Sequence, residues 1–150
     1  MSTTAAYADA VSLAGTDLGF SDWTEVTQDR VNLFADATDD HQWIHVDPER
    51  AKDGPFGGAI AHGFLSLSLT TKFWSELFEL EDVTTKVNYG LEKVRFISPV
   101  TVGARIRGGA VIAEVTEVAG GYQFTVDQTI EIEGRSKPAV VARGLYRFYA

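Results

Sequence analysis

Asp40 and His45 stand five residues apart in FADATDDHQWIHVDPERA, the stretch from Phe34 to Ala51. An aspartate on such a turn can take a proton from water as a general base, and an imidazole can hold that water or return a proton near neutral pH. A second stretch, GGAIAHGFLSLSL from Gly57 to Leu69, follows directly and opens a long apolar run. His62 within it reads as a core or capping histidine, the common fate of a histidine ahead of a buried helix. His41 and His45 have the i, i+4 spacing of metal ligands, but Gln42 stands where a zinc-protease helix carries its glutamate and the segment reads as loop. No metal and no cofactor are expected.

The elements that must hold these residues follow from pattern. Thr27 is a plausible N-cap, and Val31, Phe34 and Ala37–Thr38 then share one helical face, giving a helix that ends near Asp39 and Asp40. Asp47-Pro48 starts a second, short helix that Asp53-Gly54-Pro55 stops. From about Ala59 to Leu80 the chain reads as the longest helix, apolar or small on every side in its first half and therefore buried there. Strands account for most of the rest. Leu18 to Val26 suggests a short one with Trp23 as anchor, and residues 1–17 read as a loose arm. Tyr122, Phe124, Val126, Ile130 and Ile132 share one parity against polar neighbours, the mark of a strand with one buried face. Gly120-Gly121 turns into it from Arg105–Val118, and Ala139–Tyr149 closes the chain. In Val87–Ile97 the apolar parity shifts, which a bulge near Gly90 explains; Asn88 then reads as a bulge residue.

One long buried helix and at least four antiparallel strands bury that helix by wrapping the sheet around it, an α+β hot-dog fold in one domain spanning residues 1–150. A single curved sheet leaves edge strands that need cover, so a homodimer joined edge to edge is expected.

Composition narrows the function classes. The 150 residues include no cysteine, which excludes disulfides and thiolate nucleophiles. A formal charge of −8 argues against nucleic acid. The N-terminus has no basic, apolar leader pattern and no window is long and apolar enough for a membrane span, so a cytoplasmic protein without a membrane partner is expected. Lys86, Lys93 and Arg95 are close in sequence and are candidates for a local basic patch that would take a phosphorylated ligand.

The two motifs together resemble the MaoC-like, (R)-specific enoyl-CoA hydratase family, the hydratase 2 group. Its first motif, Gly-Asp-x-Asn-Pro-aliphatic-His followed by a small residue, is matched by Asp39-Asp40-His41-Gln42-Trp43-Ile44-His45 with Ala51. Asp39, Gln42 and Trp43 depart from the pattern, and the HQWIHVDPERA form is similar to the nodulation-protein-N-like branch. Its second motif is matched by Ala61-His62-Gly63-Phe64-Leu65. The resemblance covers residue 18 to the C-terminus. It implies a trans-2-enoyl thioester of CoA or acyl carrier protein as substrate, with its acyl chain between helix and sheet near Phe64, Leu67 and Phe73. It further implies Asp40 as base, His45 as its partner, the Gly63 backbone N–H as donor to the thioester oxygen, and Gln42 in place of the orienting asparagine.

Two rivals remain at this point. A hot-dog thioesterase uses the same scaffold, since fold alone does not choose chemistry; its acidic residue usually sits on or beside the central helix, whereas here the pair precedes it. A non-catalytic acyl-binding subunit is the other, and the retained Asp40–His45 pair speaks against it.

Overall fold

The structure is a computed structural model that describes residues 2–150. β1 (Thr3–Ala6) and a 3-10 turn (Tyr7–Leu13) open the chain, followed by β2 (Asp17–Phe20) and β3 (Thr24–Glu25). Then come α1 (Gln28–Thr38) and two single-turn helices, α2 (Trp43–Val46) and α3 (Pro48–Ala51). The central helix consists of α4 (Gly63–Ser68) and α5 (Thr70–Leu77). It is followed by β4 (Phe78–Glu81), β5 (Thr85–Phe96), β6 (Arg105–Val118), β7 (Gly121–Ile132) and β8 (Val140–Tyr149).

The main sheet is antiparallel in the order β2-β6-β7-β8-β5, with β3 also paired to β6. It curls around the central helix without closing into a barrel, which is the expected hot-dog fold. Close approach of helix and sheet depends on small residues in the strands. A Cβ at Gly108 of β6 would lie 2.5 Å from the Phe73 Cβ, so only glycine lets α5 settle there. Phe73, Ile106, Ile130 and Val140 form one part of the core, and Trp74, Phe78, Phe124 and Phe148 another.

Several expected elements change bounds, each for a visible reason. The helix starts at Gly63 rather than Ala59. Residues 59–61 are extended instead: the Ala61 and Val102 N–H groups donate to Val100 and Ala59 carbonyls, and Ile60 bridges Thr101. At the far end Phe78–Glu81 is a strand, its Phe-Glu-Leu-Glu alternation burying Phe78 and Leu80. Leu69 lies outside regular helix, yet Leu69 N–H reaches the Leu65 carbonyl and Phe73 N–H reaches that of Leu69, so the axis is continuous. The N-terminal arm is docked rather than loose, because β1 pairs in parallel with β4 and Ala10 is fully buried.

Leu18–Val26 divides into two short strands. Ser21 interrupts them, donating from its backbone to the Gly108 carbonyl while its hydroxyl accepts from Gly108 N–H. The hairpin turn is Ala119-Gly120, where Gly120 has φ of +80° and Gly121 is already paired with Val118. The register shifts on both sides of Gly90 as expected, between Asn88 and Gly90 and between Leu91 and Lys93. Among the described residues no helix is long and apolar enough to cross a membrane.

Candidate active site

Thr27 caps α1 as expected, its hydroxyl accepting from Arg30 N–H. The helix ends at Asp39, whose φ of 58° turns the chain sharply and presents Asp40. This left-handed residue stands where the resembled motif has glycine, and aspartate is among the few side chains that tolerate it. Gln42 then starts α2, its carbonyl accepting from His45 N–H at 3.0 Å. Trp43, in place of proline, folds against Gly54 and carries the Arg50 guanidinium over its ring at 4.3 Å.

His45 is held from three sides. The Gln28 side-chain amide of α1 donates to its carbonyl at 2.8 Å, and Ile60 N–H donates to the carbonyl of Ile44. Its own Nδ1 lies 2.6 Å from the Ile60 carbonyl. A carbonyl only accepts, so the proton sits on Nδ1 and Nε2 is left as an acceptor. Burial at 7% exposure holds the imidazole below its ordinary pKa of 6.5, outweighing the opposing Ile60 bond and Asp40 charge. His45 is therefore neutral near pH 7.

His62 stacks on His45, ring centroids 3.8 Å apart and 22° from parallel, with Phe34 at 4.9 Å. Its Nε2 lies 2.9 Å from the Asp40 backbone carbonyl, which makes Nε2 the donor there, and 4.0 Å from the Asp40 carboxylate. Its Nδ1 is buried with no partner. A buried polar atom left unpaired costs about 1 to 3 kcal/mol, more than the bond from Nε2 returns. His62 is thus not the satisfied core histidine that its sequence position suggests. One donor atom from each of Asp40, His45 and His62 lies within 4.8 Å of the others, the arrangement of a candidate cation site. His62 Nε2 and His45 Nδ1 are each bonded to a carbonyl, so the free groups of the cluster are the other nitrogen of each ring and the Asp40 carboxylate. His41, the other histidine with ligand spacing, is exposed and bonds Asp36 instead.

Next to His45 a cavity of about 330 Å³ opens between the start of α4 and the end of β5, lined by His45, Ile60, Gly63, Ser66, Phe96 and Val140 among others. Gly63, the first residue of α4, faces the Phe96 ring, and its N–H is among those that a helix start leaves without an intrahelical partner. Ser66 shares this wall one turn on; the i, i+3 relation to Gly63 was the sequence signal for it. Asp40 lies outside the wall, its side chain 53% exposed, and Gln42 is exposed beside it. A second cavity of about 290 Å³ lies farther along the helix, lined by Leu67, Thr70, Asn88, Leu91 and Tyr146. Of the three side chains expected to line an acyl tunnel, Leu67 borders this cavity. Phe73 is buried core, and Phe64 is 68% exposed, edge-on to Phe96. The three basic residues do not form one patch. Lys86 pairs with Glu79 and stands about 20 Å along β5 from Lys93 at ordinary strand rise.

Comparison with known proteins bears on the same residues. The model of the MaoC-like domain family matches residues 9–133. The chain is 49% identical to 3-hydroxyacyl-thioester dehydratase Z of Mycobacterium tuberculosis (strain CDC 1551 / Oshkosh) over 151 residues, covering 100% of each. It is 48% identical to Nodulation protein N of Rhizobium leguminosarum bv. viciae over 138 residues, 90% of this chain and 86% of that one. Among solved structures, an (R)-hydratase from A. caviae involved in PHA biosynthesis superposes with a TM-score of 0.72 at 21% identity, over 89% of this chain and 94% of that one, a likeness of fold. With the motifs, the hot-dog fold and these matches in agreement, the chain belongs to the MaoC-like family of dehydratases and hydratases.

Proposed function

We propose that the protein is an (R)-specific hydratase/dehydratase acting on trans-2-enoyl thioesters of CoA or acyl carrier protein. The observation that carries this reading is the state of His45: neutral, with Nδ1 tied to Ile60 so that Nε2 is the free acceptor, and with a ring nitrogen within 4.8 Å of an Asp40 carboxylate oxygen. A water molecule that donates one hydrogen to Asp40 and the other to His45 keeps an oxygen lone pair for the β-carbon of the enoyl group. Asp40 takes the proton of the attacking water as the C–O bond forms. Electrons from the double bond pass to the thioester oxygen, where the Gly63 N–H offsets the developing charge. The enolate collapses as a proton is delivered to the α-carbon from the Asp40–His45 pair, which completes addition of water. Dehydration is the same path reversed. Gln42 orients the pair or the substrate from the exposed side of the loop.

The acyl chain lies in the trough between the central helix and β5, past Ser66 toward Leu67. The assembly is a homodimer. β5 is an edge strand with Val87, Tyr89, Leu91 and Phe96 exposed along it, and Phe64 meets Phe96 from the start of α4; a second copy covers this apolar surface. Light scattering at micromolar concentration tests this, a monomer being the contrary result.

One assay separates the reaction classes. Crotonyl-CoA is incubated with the protein while enoyl absorbance and free-thiol release are followed, and the product is resolved by chiral chromatography. Loss of enoyl absorbance with (R)-3-hydroxybutyryl-CoA as product is expected. Thiol release instead marks a thioesterase, no reaction with any acyl thioester a non-catalytic subunit, and an (S) product contradicts the assigned face.

A further inference from the structure

His62 has no share in these proton transfers, yet it touches both groups that do. It stands at the N-cap of α4 without capping by its side chain. The ring reaches instead across 22 residues of sequence to the Asp40 carbonyl, and it is gripped between Phe34 and His45 at 2% exposure. Packing alone does not account for a histidine here. A phenylalanine would fill the same slot without leaving a buried nitrogen unpaired. What the apolar ring lacks is the N–H that holds the Asp40 backbone, and a second imidazole against His45.

We infer that His62 is the positioning residue of the site: its Nε2–H pins the Asp40 turn while its ring face holds the His45 imidazole so that Nδ1 stays on Ile60 and Nε2 stays open to water. The two motifs, one on the turn after α1 and one at the start of the central helix, are thereby joined through a single side chain. A shift of about 1 Å between base and partner is enough to cost a large factor in rate, so a residue that sets their spacing acts on turnover more than on binding. Asp40 and His62 are the ionisable groups that face His45. His62 opposes its protonation and Asp40 favours it.

The kinetic arm of the test rests on the proposed hydration reaction; a second arm does not. His62→Phe and His62→Gln are made in the full chain. Each is followed by thermal melting, by crotonyl-CoA kinetics across pH, and by NMR titration of the His45 ring. For His62→Phe we expect a folded protein, kcat at least tenfold down, KM within threefold, and a His45 titration moved to higher pH. His62→Gln keeps a donor at the Nε2 position and should recover part of kcat. A folded His62→Phe with kcat within threefold of wild type and an unmoved His45 titration overturns the inference. If His62→Phe does not fold, His62→Gln decides: wild-type kcat and an unmoved His45 titration overturn it, and a change in both sustains it. Should wild type hydrate no enoyl thioester, the proposed function fails, while the His45 titration still tests the His62–His45 coupling.

Discussion

Gly63→Ala separates stability from activity in opposite directions. Gly63 is the first residue of α4 and its φ lies outside the left-handed region, so alanine can adopt its backbone. Replacing glycine at a compatible helical position gains about 0.4 to 1 kcal/mol. For a chain of this size that is a rise in Tm of about 1 to 4 °C. Against this, an ideal Cβ would lie 3.2 Å from two carbons of the Phe96 ring. The gap is short by a few tenths of an ångström. Phe96 is half exposed on an edge strand and can give by that amount, so the net effect on Tm lies between zero and this gain. The methyl adds to a wall of the cavity that Gly63 lines, where on the proposed reading the thioester oxygen approaches the Gly63 N–H. Full loss of an oxyanion donor costs about 10² to 10³ in kcat, and because the amide survives, a fall of about tenfold or more is expected. Thermal melts and crotonyl-CoA kinetics measure the two effects. Wild-type kcat/KM in a protein that melts at or above the wild-type temperature would refute contact between substrate and Gly63. Adding Phe96→Leu relieves the ring contact but keeps the methyl, so recovery of activity in that double variant would assign the defect to the displaced ring instead.

The remaining expectations concern the proposed Asp40–His45 pair and the cluster around it. Asp40→Asn should lower kcat by about 10² to 10⁴ with Tm unchanged, since the side chain is half exposed, whereas His45→Gln should lower kcat similarly and also Tm by a few degrees through loss of its Ile60 bond; more than a tenth of wild-type activity in either folded variant removes that residue from the chemistry. The kcat/KM profile should have an acid limb centred below pH 6.5, because burial holds His45 below that ordinary value. The unfolded chain takes up this proton more readily than the folded one, so the group's contribution to stability is full above 6.5 and is lost as pH falls through the lowered folded value, which melts of wild type against His45→Gln across that range will measure. Prolonged chelation should leave hydration unchanged, because the proposed reaction uses Asp40, His45 and the Gly63 N–H and needs no Lewis acid; activity lost to EDTA and restored by zinc is the contrary result.

Local pattern alone determined much of this protein. The Thr27 cap, the α1 helix, the alternation of β7 and the bulges around Gly90 all depend on residues near in sequence, where propensity and parity speak directly. The spacing of Asp40 and His45 likewise marked that pair as a candidate, and the two motifs carried the family resemblance that implied a role for Gly63. Tertiary structure decided what depends on distant partners. Ala59–Ala61 reads as helix locally, yet backbone bonds to residues 100–102 make it extended, and that extension supplies the Ile60 carbonyl that sets the His45 tautomer. Phe78–Glu81 became a strand because residues 3–6 are there to pair with it. The spread of Lys86, Lys93 and Arg95 along one strand broke a patch that sequence proximity suggested. His62 shows the same division most sharply: its place before the helix was legible, but its stacking on His45, its bond to Asp40 and its unpaired nitrogen arise only when residues 22 and 17 positions apart are packed together.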